Sequence, residues 1–119
     1  MEFGAMHRLA VVYADGRVDL IEIDRIFYLE AQGEKTLIRT RRKNPYISFQ
    51  RMGEIEKTLP SPAFVRTHRE FIVNLNYARS LNPRPTGGYD LKLDPPVNKR
   101  IPIARNRLSN VRKILGIKT

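Results

Sequence analysis

The sequence predicts a mostly β domain with antiparallel strands and two short helices. Short runs of alternating apolar and polar residues recur along the chain, and turn-forming dipeptides separate them. Strands and helices do not alternate strictly, which argues against a parallel sheet with crossover helices. The chain has 119 residues, 41% of them hydrophobic, which suits one domain with a modest core.

The first half of the chain contains five predicted strands and one helix. The strands cover residues 9–13, 18–21, 26–30, 35–41 and 46–49, and the helix covers residues 50–59. Asp15-Gly16 suits a tight hairpin turn between the first two strands, because both residue types tolerate positive φ. Along the fourth strand, Thr36, Ile38 and Thr40 share one face.

The second half contains five more predicted strands and the second helix. The strands cover residues 64–66, 71–75, 78–81, 89–93 and 99–103, and the helix covers residues 106–115. Each helix has one apolar stripe, Met52, Ile55 and Leu59 in the first and Leu108, Val111 and Leu115 in the second. Gly116 suits the position after the last helix.

Several classes of protein are excluded by composition. The chain has no Cys, which removes disulfides and thiolate zinc sites, and its two His cannot form a three-His zinc centre. We therefore predict no metal and no other cofactor. No segment has the length and apolarity of a signal peptide or a membrane span, so we expect a cytoplasmic protein without membrane contact. Residues 1–6 are interpreted as a tag remnant or a disordered terminus, and residues 7–119 as a single domain.

Positive charge is concentrated in the second half of the chain. The formal net charge is +10, of which residues 1–60 contribute +1 and residues 61–119 contribute +9. After Asp94 there is no acidic residue. On a surface that serves only solubility, positively and negatively charged residues are interspersed. Their segregation here predicts a face that contacts a polyanion.

No arrangement of residues indicates catalysis. His68 could act as a general base with Glu70 or Glu30, but no nucleophile elbow, phosphate-binding loop, zinc-protease motif or dinucleotide fingerprint is present. A lone His among basic residues is more often structural or a ligand contact. We therefore expect a binding protein and not an enzyme.

The most informative segment is residues 64–75, which is predicted to form a strand, a polar knuckle (residues 66–70) and a second strand. Arg66, His68 and Arg69 cluster in the knuckle, where apolar strands on both sides would hold the backbone. The competing interpretation is an ordinary hairpin whose polar residues only satisfy backbone groups. For Asn74 we favour that interpretation, since Asn beside a strand end commonly bonds the local backbone.

Three stretches together resemble the LytTR family of DNA-binding domains, which serve as output modules of bacterial transcriptional regulators. The first, Ile26 to Ala31, is a strand that ends in Glu-Ala. The second, Phe64 to Asn74, contains a Phe-x-Arg-x-His-Arg signature. The third, Ile101 to Arg105, is an Ile-Pro-Ile-Ala-Arg stretch before the last helix. The resemblance covers about residues 9–115. Two positions depart from the family pattern, because Glu70 and Ala104 stand where the family has Ser.

The resemblance implies small antiparallel sheets stacked in an elongated domain whose loops, rather than a recognition helix, contact DNA. Carried over to this chain, it implies base contacts in the major groove from Lys35, Arg69, Arg105 and Asn106. Expected phosphate contacts are Arg66, His68, Arg107, Arg41, Arg42 and Lys43. A purely structural role for His68 stays open, and so does a merely solvated surface for residues 41–43.

The function predicted from these features is sequence-specific binding of double-stranded DNA by the output domain of a bacterial transcriptional regulator. We expect promoter sites made of paired or repeated half-sites, and a homodimer on DNA is left open. The alternative is an RNA-binding or ribosome-associated basic β module, although no aromatic-rich motif for stacking RNA bases is present. A third interpretation is an adaptor for acidic lipid or protein.

Overall fold

A computed structural model describes residues 7–117 of the chain. The interpretation of residues 1–6 lies outside the described residues. The chain divides into two compact units with a boundary between Leu59 and Pro60, and each unit is described by itself. The prediction of one domain over residues 7–119 stays a prediction. Within residues 7–117, no helix has both the length and the apolarity needed to cross a membrane.

Between residues 7 and 59, the first unit contains five strands and one short α-helix. These elements are β1 (Arg8–Val12), β2 (Val18–Glu22), β3 (Tyr28–Gln32), β4 (Lys35–Arg39), β5 (Tyr46–Ser48) and α1 (Met52–Glu56). β1 and β2 form an antiparallel hairpin, and β4 pairs antiparallel with both β3 and β5. The predicted class of small antiparallel sheets is confirmed.

The loop between β1 and β2 is longer than the tight turn predicted at Asp15-Gly16. The Tyr13 N–H donates to the Arg17 carbonyl at 2.9 Å, and the Gly16 N–H donates to the Tyr13 carbonyl at 3.0 Å. Gly16 takes a left-handed conformation with φ 89°, whereas Asp15 does not. The Asp15 carboxylate instead accepts the Arg17 N–H at 2.9 Å. The side chain of Asp15, not a positive φ, is therefore its contribution to the turn.

The alternation predicted along β4 is confirmed. Thr36 and Ile38 are fully buried, and Thr40, just beyond the strand, is also buried. The Thr36 hydroxyl donates to the Gln50 carbonyl at 2.7 Å, which satisfies a polar group that water cannot reach. One face of β4 thus belongs to the core of the unit, and the other carries Lys35 and its neighbours toward the surface.

The helix α1 is shorter than predicted, since it covers five residues within the expected range 50–59. Met52 and Ile55 are buried, as their spacing predicted, but Leu59 is only half-buried. The Thr58 hydroxyl donates to the Ile55 carbonyl at 2.7 Å. Beyond Glu56, the Thr58 and Leu59 N–H groups bond to carbonyl groups three residues back, at 2.9 and 3.2 Å, so tighter turns replace the α-helical pattern.

Between residues 60 and 117, the second unit contains five strands and the longer helix. These elements are β6 (Phe64–His68), β7 (Phe71–Asn74), β8 (Ala78–Pro83), β9 (Tyr89–Leu93), β10 (Arg100–Ile103) and α2 (Arg105–Leu115). β6 pairs with β7, and β9 pairs with β8 and β10, all antiparallel. The Asn74 side chain accepts the Asn76 N–H at 3.0 Å, which confirms the local role expected for it.

The last helix ends as predicted at Gly116. Gly116 takes φ 76°, its N–H donates to the Lys113 carbonyl at 3.1 Å, and the Ile117 N–H donates to the Arg112 carbonyl at 2.8 Å. This pair of bonds is the Schellman arrangement that satisfies the last carbonyl groups of a helix. Val111 is fully buried and anchors the helix on the unit.

The start of α2 lacks a capping side chain. Ala104 occupies the N-cap position with extended backbone angles, and no side chain there accepts a helix N–H. The first turn contains no acidic residue that would complement the positive end of the helix dipole. Ala104 is one of the two positions where the family pattern has Ser, so this chain lacks the hydroxyl at the place where a hydroxyl caps best.

We expect the substitution Ala104→Ser to raise the free energy of unfolding by about 1 kcal/mol, because its hydroxyl can accept one of the unsatisfied N–H groups at the start of α2. Urea denaturation of the substituted and natural chains measures the difference. The isosteric pair Ala104→Thr and Ala104→Val is the control, since only Thr carries the hydroxyl. Equal stability of Thr and Val variants would contradict capping.

Candidate nucleic-acid interface

The turn that joins β6 to β7 has an unusual backbone. Arg69 and Glu70 form a two-residue connection between the paired residues His68 and Phe71. Two-residue hairpin turns normally need a positive φ, but among residues 7–117 the only non-glycine residue with a positive φ is Asn98. A bulge in β6 directly precedes this connection, and side-chain hydrogen bonds support it.

Arg66 supplies much of that support. Its Nε donates to the His68 carbonyl at 3.2 Å, and its Nη2 donates to the Arg69 carbonyl. A guanidinium presents several donors in a rigid fork, so one side chain can hold two successive carbonyl groups. Arg66 is half-buried, whereas Arg69 and Glu70 are exposed.

His68 supports the same turn from its ring. Its Nδ1 accepts the Glu70 N–H at 3.1 Å, and its ring packs edge-on against Phe71, with centroids 6.1 Å apart. While Nδ1 accepts this bond, the ring can donate only from Nε2. The ring therefore supports the turn through Nδ1, while Nε2 makes no hydrogen bond within residues 7–117.

The knuckle is joined to the start of α2 by backbone hydrogen bonding. A β-bulge between Arg66 and His68 places Thr67 as the extra residue of β6. The Ala104 N–H donates to the Thr67 carbonyl at 2.8 Å. Arg107 adds a longer bond, from Nη1 to the Arg66 carbonyl at 3.5 Å. The structure thus brings together the two stretches that sequence analysis selected separately.

Three predicted base-contact residues of this unit share one property. Arg69, Arg105 and Asn106 are exposed, and within residues 7–117 their side chains make no hydrogen bond or ion pair. Their backbones are fixed by the turn and by the first turn of α2. This arrangement offers polar side chains to a partner while the main chain stays in place.

The fourth predicted base-contact residue, Lys35, lies in the first unit. It is exposed at the start of β4, directly after the turn at Gly33-Glu34, where Gly33 has φ 65°. Its Nζ lies 4.4 Å from the centroid of the Phe49 ring. The neighbouring Glu34 is paired with Arg51, so it does not neutralise Lys35.

Two of the three basic side chains at residues 41–43 contact other groups of the chain, although all three residues are exposed. The Arg42 guanidinium lies 3.9 Å from the centroid of the Tyr46 ring, and its Nε donates to the Asn44 carbonyl at 2.8 Å. The Arg41 guanidinium lies 5.6 Å from the ring of Phe27. For the Lys43 side chain, the described part of the chain provides no hydrogen bond or ion pair.

Sequence reasoning missed the features that fix the knuckle. The bulge at Thr67 leaves the apolar pattern of β6 unchanged, so periodicity contains no sign of it. The bond between Thr67 and Ala104 joins residues far apart in the chain, and no local pattern predicts it. The support given by Arg66 had a partial signal, since an Arg three residues before the tip of a hairpin is close enough to bond the turn.

The chain is similar to DNA-binding domains and regulators that are already known. A family model, the LytTr DNA-binding domain, matches residues 16–116. The sensory transduction protein LytT of Bacillus cereus is 30% identical over 112 residues, which cover 94% of this chain and 44% of that protein. The transcriptional regulatory protein YpdB of Escherichia coli K12 is 32% identical over 103 residues, which cover 87% of this chain and 41% of that protein.

A solved structure shows the same fold. The LytTr DNA-binding domain of a methyl-accepting/DNA response regulator from Bacillus cereus aligns with a TM-score of 0.77 and 27% identity. The alignment covers 95% of this chain and 100% of that structure. The chain thus has the extent of that isolated domain but spans less than half the length of the curated relatives it matches.

We expect the substitution Arg66→Met to lower the free energy of unfolding by about 1 kcal/mol, because two carbonyl groups of the turn lose their donors. Amide hydrogen exchange should accelerate at residues 68–70 more than elsewhere. Urea denaturation and exchange followed by NMR measure both effects. Arg69→Met is the matched control, and it should change stability by less than about 0.5 kcal/mol. Equal effects of the two substitutions would contradict the support assigned to Arg66.

Proposed function

Since the chain belongs to the LytTr DNA-binding domain family, we propose that it recognises specific double-stranded DNA sites as the output domain of a bacterial transcriptional regulator. DNA is the partner of this family, and the family is one of binding domains rather than enzymes. The sequence specificity, the contact residues and the activity of any longer regulator belong to the proposal. The proposed place of action is the cytoplasm, where bacterial DNA lies.

One observation carries the proposal. At the knuckle and the start of α2, hydrogen bonds hold the backbone, while exposed polar side chains make no bond within the described residues. Arg69, Arg105 and Asn106 are the proposed base contacts in this unit. Arg can donate two bonds to guanine O6 and N7, and Asn can pair with adenine N6 and N7 in the major groove. Because the Ala104–Thr67 bond joins the two stretches, these side chains keep a defined spacing for base edges.

Lys35 is the base contact proposed for the first unit. Lys donates to guanine O6 or N7, though as a single flexible donor rather than a planar fork. The contact with Phe49 reduces that flexibility without neutralising the charge. Lys35 therefore provides a second, independent point of readout.

The proposed phosphate contacts differ in whether their donor groups are available or already bonded within the chain. His68 can donate from Nε2, and Arg107 lies beside the base-contacting residues of α2. The exposed residues Arg41, Arg42 and Lys43 serve the same purpose in the first unit. For Arg66, the two bonds to the turn favour a structural role over the phosphate contact predicted from the sequence.

Few base contacts imply repeated sites. Four base-contacting side chains distinguish only a few base pairs, and each mismatch typically costs about 1–3 kcal/mol. A genome offers a large excess of competing sequence, so one such short site gives little selectivity. We therefore propose that the natural sites are paired or repeated half-sites occupied by two copies of the domain.

We expect Arg69→Ala and Arg105→Ala to weaken binding to a preferred duplex by about 1–3 kcal/mol and to a random duplex only slightly, since base contacts act on the correct sequence. Lys43→Ala, as a phosphate variant, should weaken both alike. Titrations with a duplex selected from a random pool and with a random duplex measure this. Duplex RNA and anionic vesicles at the same salt concentration test the alternative classes of partner.

Preference of the natural chain for RNA or vesicles would overturn the proposed function. Equal losses on both DNA duplexes for Arg69→Ala and Arg105→Ala would instead overturn only the assignment of base contacts. The stability of each variant must be measured first, so that weaker binding caused by local unfolding is not mistaken for the loss of a base contact.

A double-mutant cycle distinguishes the two roles considered for Arg66. If Arg66 acts by holding the turn that presents Arg69, the double variant Arg66→Met with Arg69→Ala should bind the preferred duplex about as weakly as Arg69→Ala alone. If Arg66 contacts a phosphate, the losses should add, and the salt slope should fall by about one unit. Affinities of the four proteins at several salt concentrations provide the measurement.

A further inference from the structure

The first unit carries an exposed cluster in which two arginines rest on two tyrosines. The Arg17 guanidinium carbon lies 4.3 Å from the centroid of the Tyr13 ring, and that of Arg42 lies 3.9 Å from the Tyr46 ring. Both arginines are exposed, and both tyrosines are half-buried. We call these four residues the aromatic–arginine patch. Sequence analysis selected only Arg42 among them.

The two pairs are neighbours because β1 ends beside β5. The Val12 N–H donates to the Ser48 hydroxyl at 3.1 Å, and the Phe49 N–H donates to the Val12 carbonyl at 2.7 Å. These bonds place Tyr13, the next residue after β1, beside the strand that carries Tyr46. Electrostatics are consistent with this proximity, since the positive charges of Arg17 and Arg42 both act to lower the pKa of Tyr13.

The pKa of Tyr13 is nevertheless raised above its ordinary value, because other effects outweigh the two arginines. Burial raises the pKa of Tyr13, and its hydrogen bond to Asp19 raises it further. The Tyr13 hydroxyl donates to the Asp19 carboxylate at 2.8 Å, and the Asp15 carboxylate accepts the backbone N–H of Arg17 at 2.9 Å. Both carboxylates are therefore held by hydrogen bonds of their own. Neither Arg17 nor Arg42 forms an ion pair with Asp19 or with any other acid in the described part of the chain.

This lack of ion pairing separates the patch from other cations of the same unit. Arg25, Arg51 and Lys57 are exposed, and each is paired with a carboxylate, of Glu22, Glu34 and Glu54 respectively. Their charges are locally balanced. A tyrosine face holds a guanidinium by attraction to the ring quadrupole and leaves its full charge available. These three cations and the two arginines of the patch are thus held in different ways.

The patch is also organised before any partner arrives. The Arg42 N–H donates to the Thr40 hydroxyl at 3.3 Å, and its Nε donates to the Asn44 carbonyl at 2.8 Å. Its Nη groups have no partner among residues 7–117. Because stacking and the Nε bond have already restricted the side chain, binding an anion through Nη loses less conformational entropy.

We propose that Arg17 and Arg42 form a phosphate-binding clamp for the backbone of duplex DNA, organised by Tyr13 and Tyr46. This rests on the proposed function and adds contacts to it. Phosphate suits the clamp because a guanidinium fork binds two phosphate oxygens at once. Backbone contacts carry no direct sequence information, so the clamp contributes affinity for all duplexes.

The test compares Arg17→Gln and Arg42→Gln with Arg25→Gln, which removes the same charge from the same unit but breaks an ion pair instead. For each clamp variant, the log–log slope of affinity against salt should become shallower by about 0.9 on preferred and random duplexes alike. This corresponds to about eightfold weaker binding at 0.1 M salt when counterion release is the only effect changed. Arg25→Gln should change the slope by less than half the change expected for a clamp variant, because the Arg25 charge is already balanced by Glu22.

A further variant, Arg42→Lys, keeps the charge and removes the planar fork. It should retain the slope of the natural chain but bind both duplexes more weakly. The clamp is overturned if Arg17→Gln and Arg42→Gln match Arg25→Gln, or if Arg42→Lys binds as the natural chain does. Such results leave the proposed function intact, whereas failure of the natural chain to bind duplex DNA would overturn that function directly.

Discussion

The hydrogen bond from the Ala104 N–H to the Thr67 carbonyl is the constraint on which the interface of the second unit depends. It connects a strand that ends in a two-residue turn with the first residue before α2. The bulge at Thr67 makes this possible, since an extra residue in a strand locally disrupts the ladder and bends the strand. Together with the longer bond from Arg107 to the Arg66 carbonyl, it fixes the backbone around Arg69 relative to the backbone around Arg105.

The structure uses arginine in three distinct physical roles. Arg66 is half-buried and holds carbonyl groups, Arg25 balances a nearby carboxylate, and Arg42 rests on a tyrosine with its charge available. Arg69 fits none of these, because its side chain makes no bond within the described residues. In a chain with a net charge of +10, composition alone therefore says little about which cations meet DNA. What each guanidinium already contacts is the informative property.

Sequence reasoning predicted the fold class and most strands because their signals are local. The buried face of β4 and the end of α2 at Gly116 follow from alternation and from backbone chemistry. The longer turn at Asp15 includes a side-chain bond to nearby backbone, and α1 ends early in tighter backbone turns. The apolar pattern contains no sign of either. The candidate residues were identified by resemblance, whereas their different roles arise from contacts across the chain.

The departure at Glu70 illustrates how a site can tolerate change beside a constrained backbone. The bond to His68 uses the backbone N–H of residue 70, so every residue except Pro can provide it. The side chain is exposed, and its carboxylate repels DNA phosphates of any sequence. On the proposed function, we expect Glu70 to lower affinity for preferred and random DNA together, while the turn that presents Arg69 keeps its hydrogen bonds. The proposed base contacts would then set the sequence preference, and the proposed phosphate contacts would set the affinity common to all duplexes.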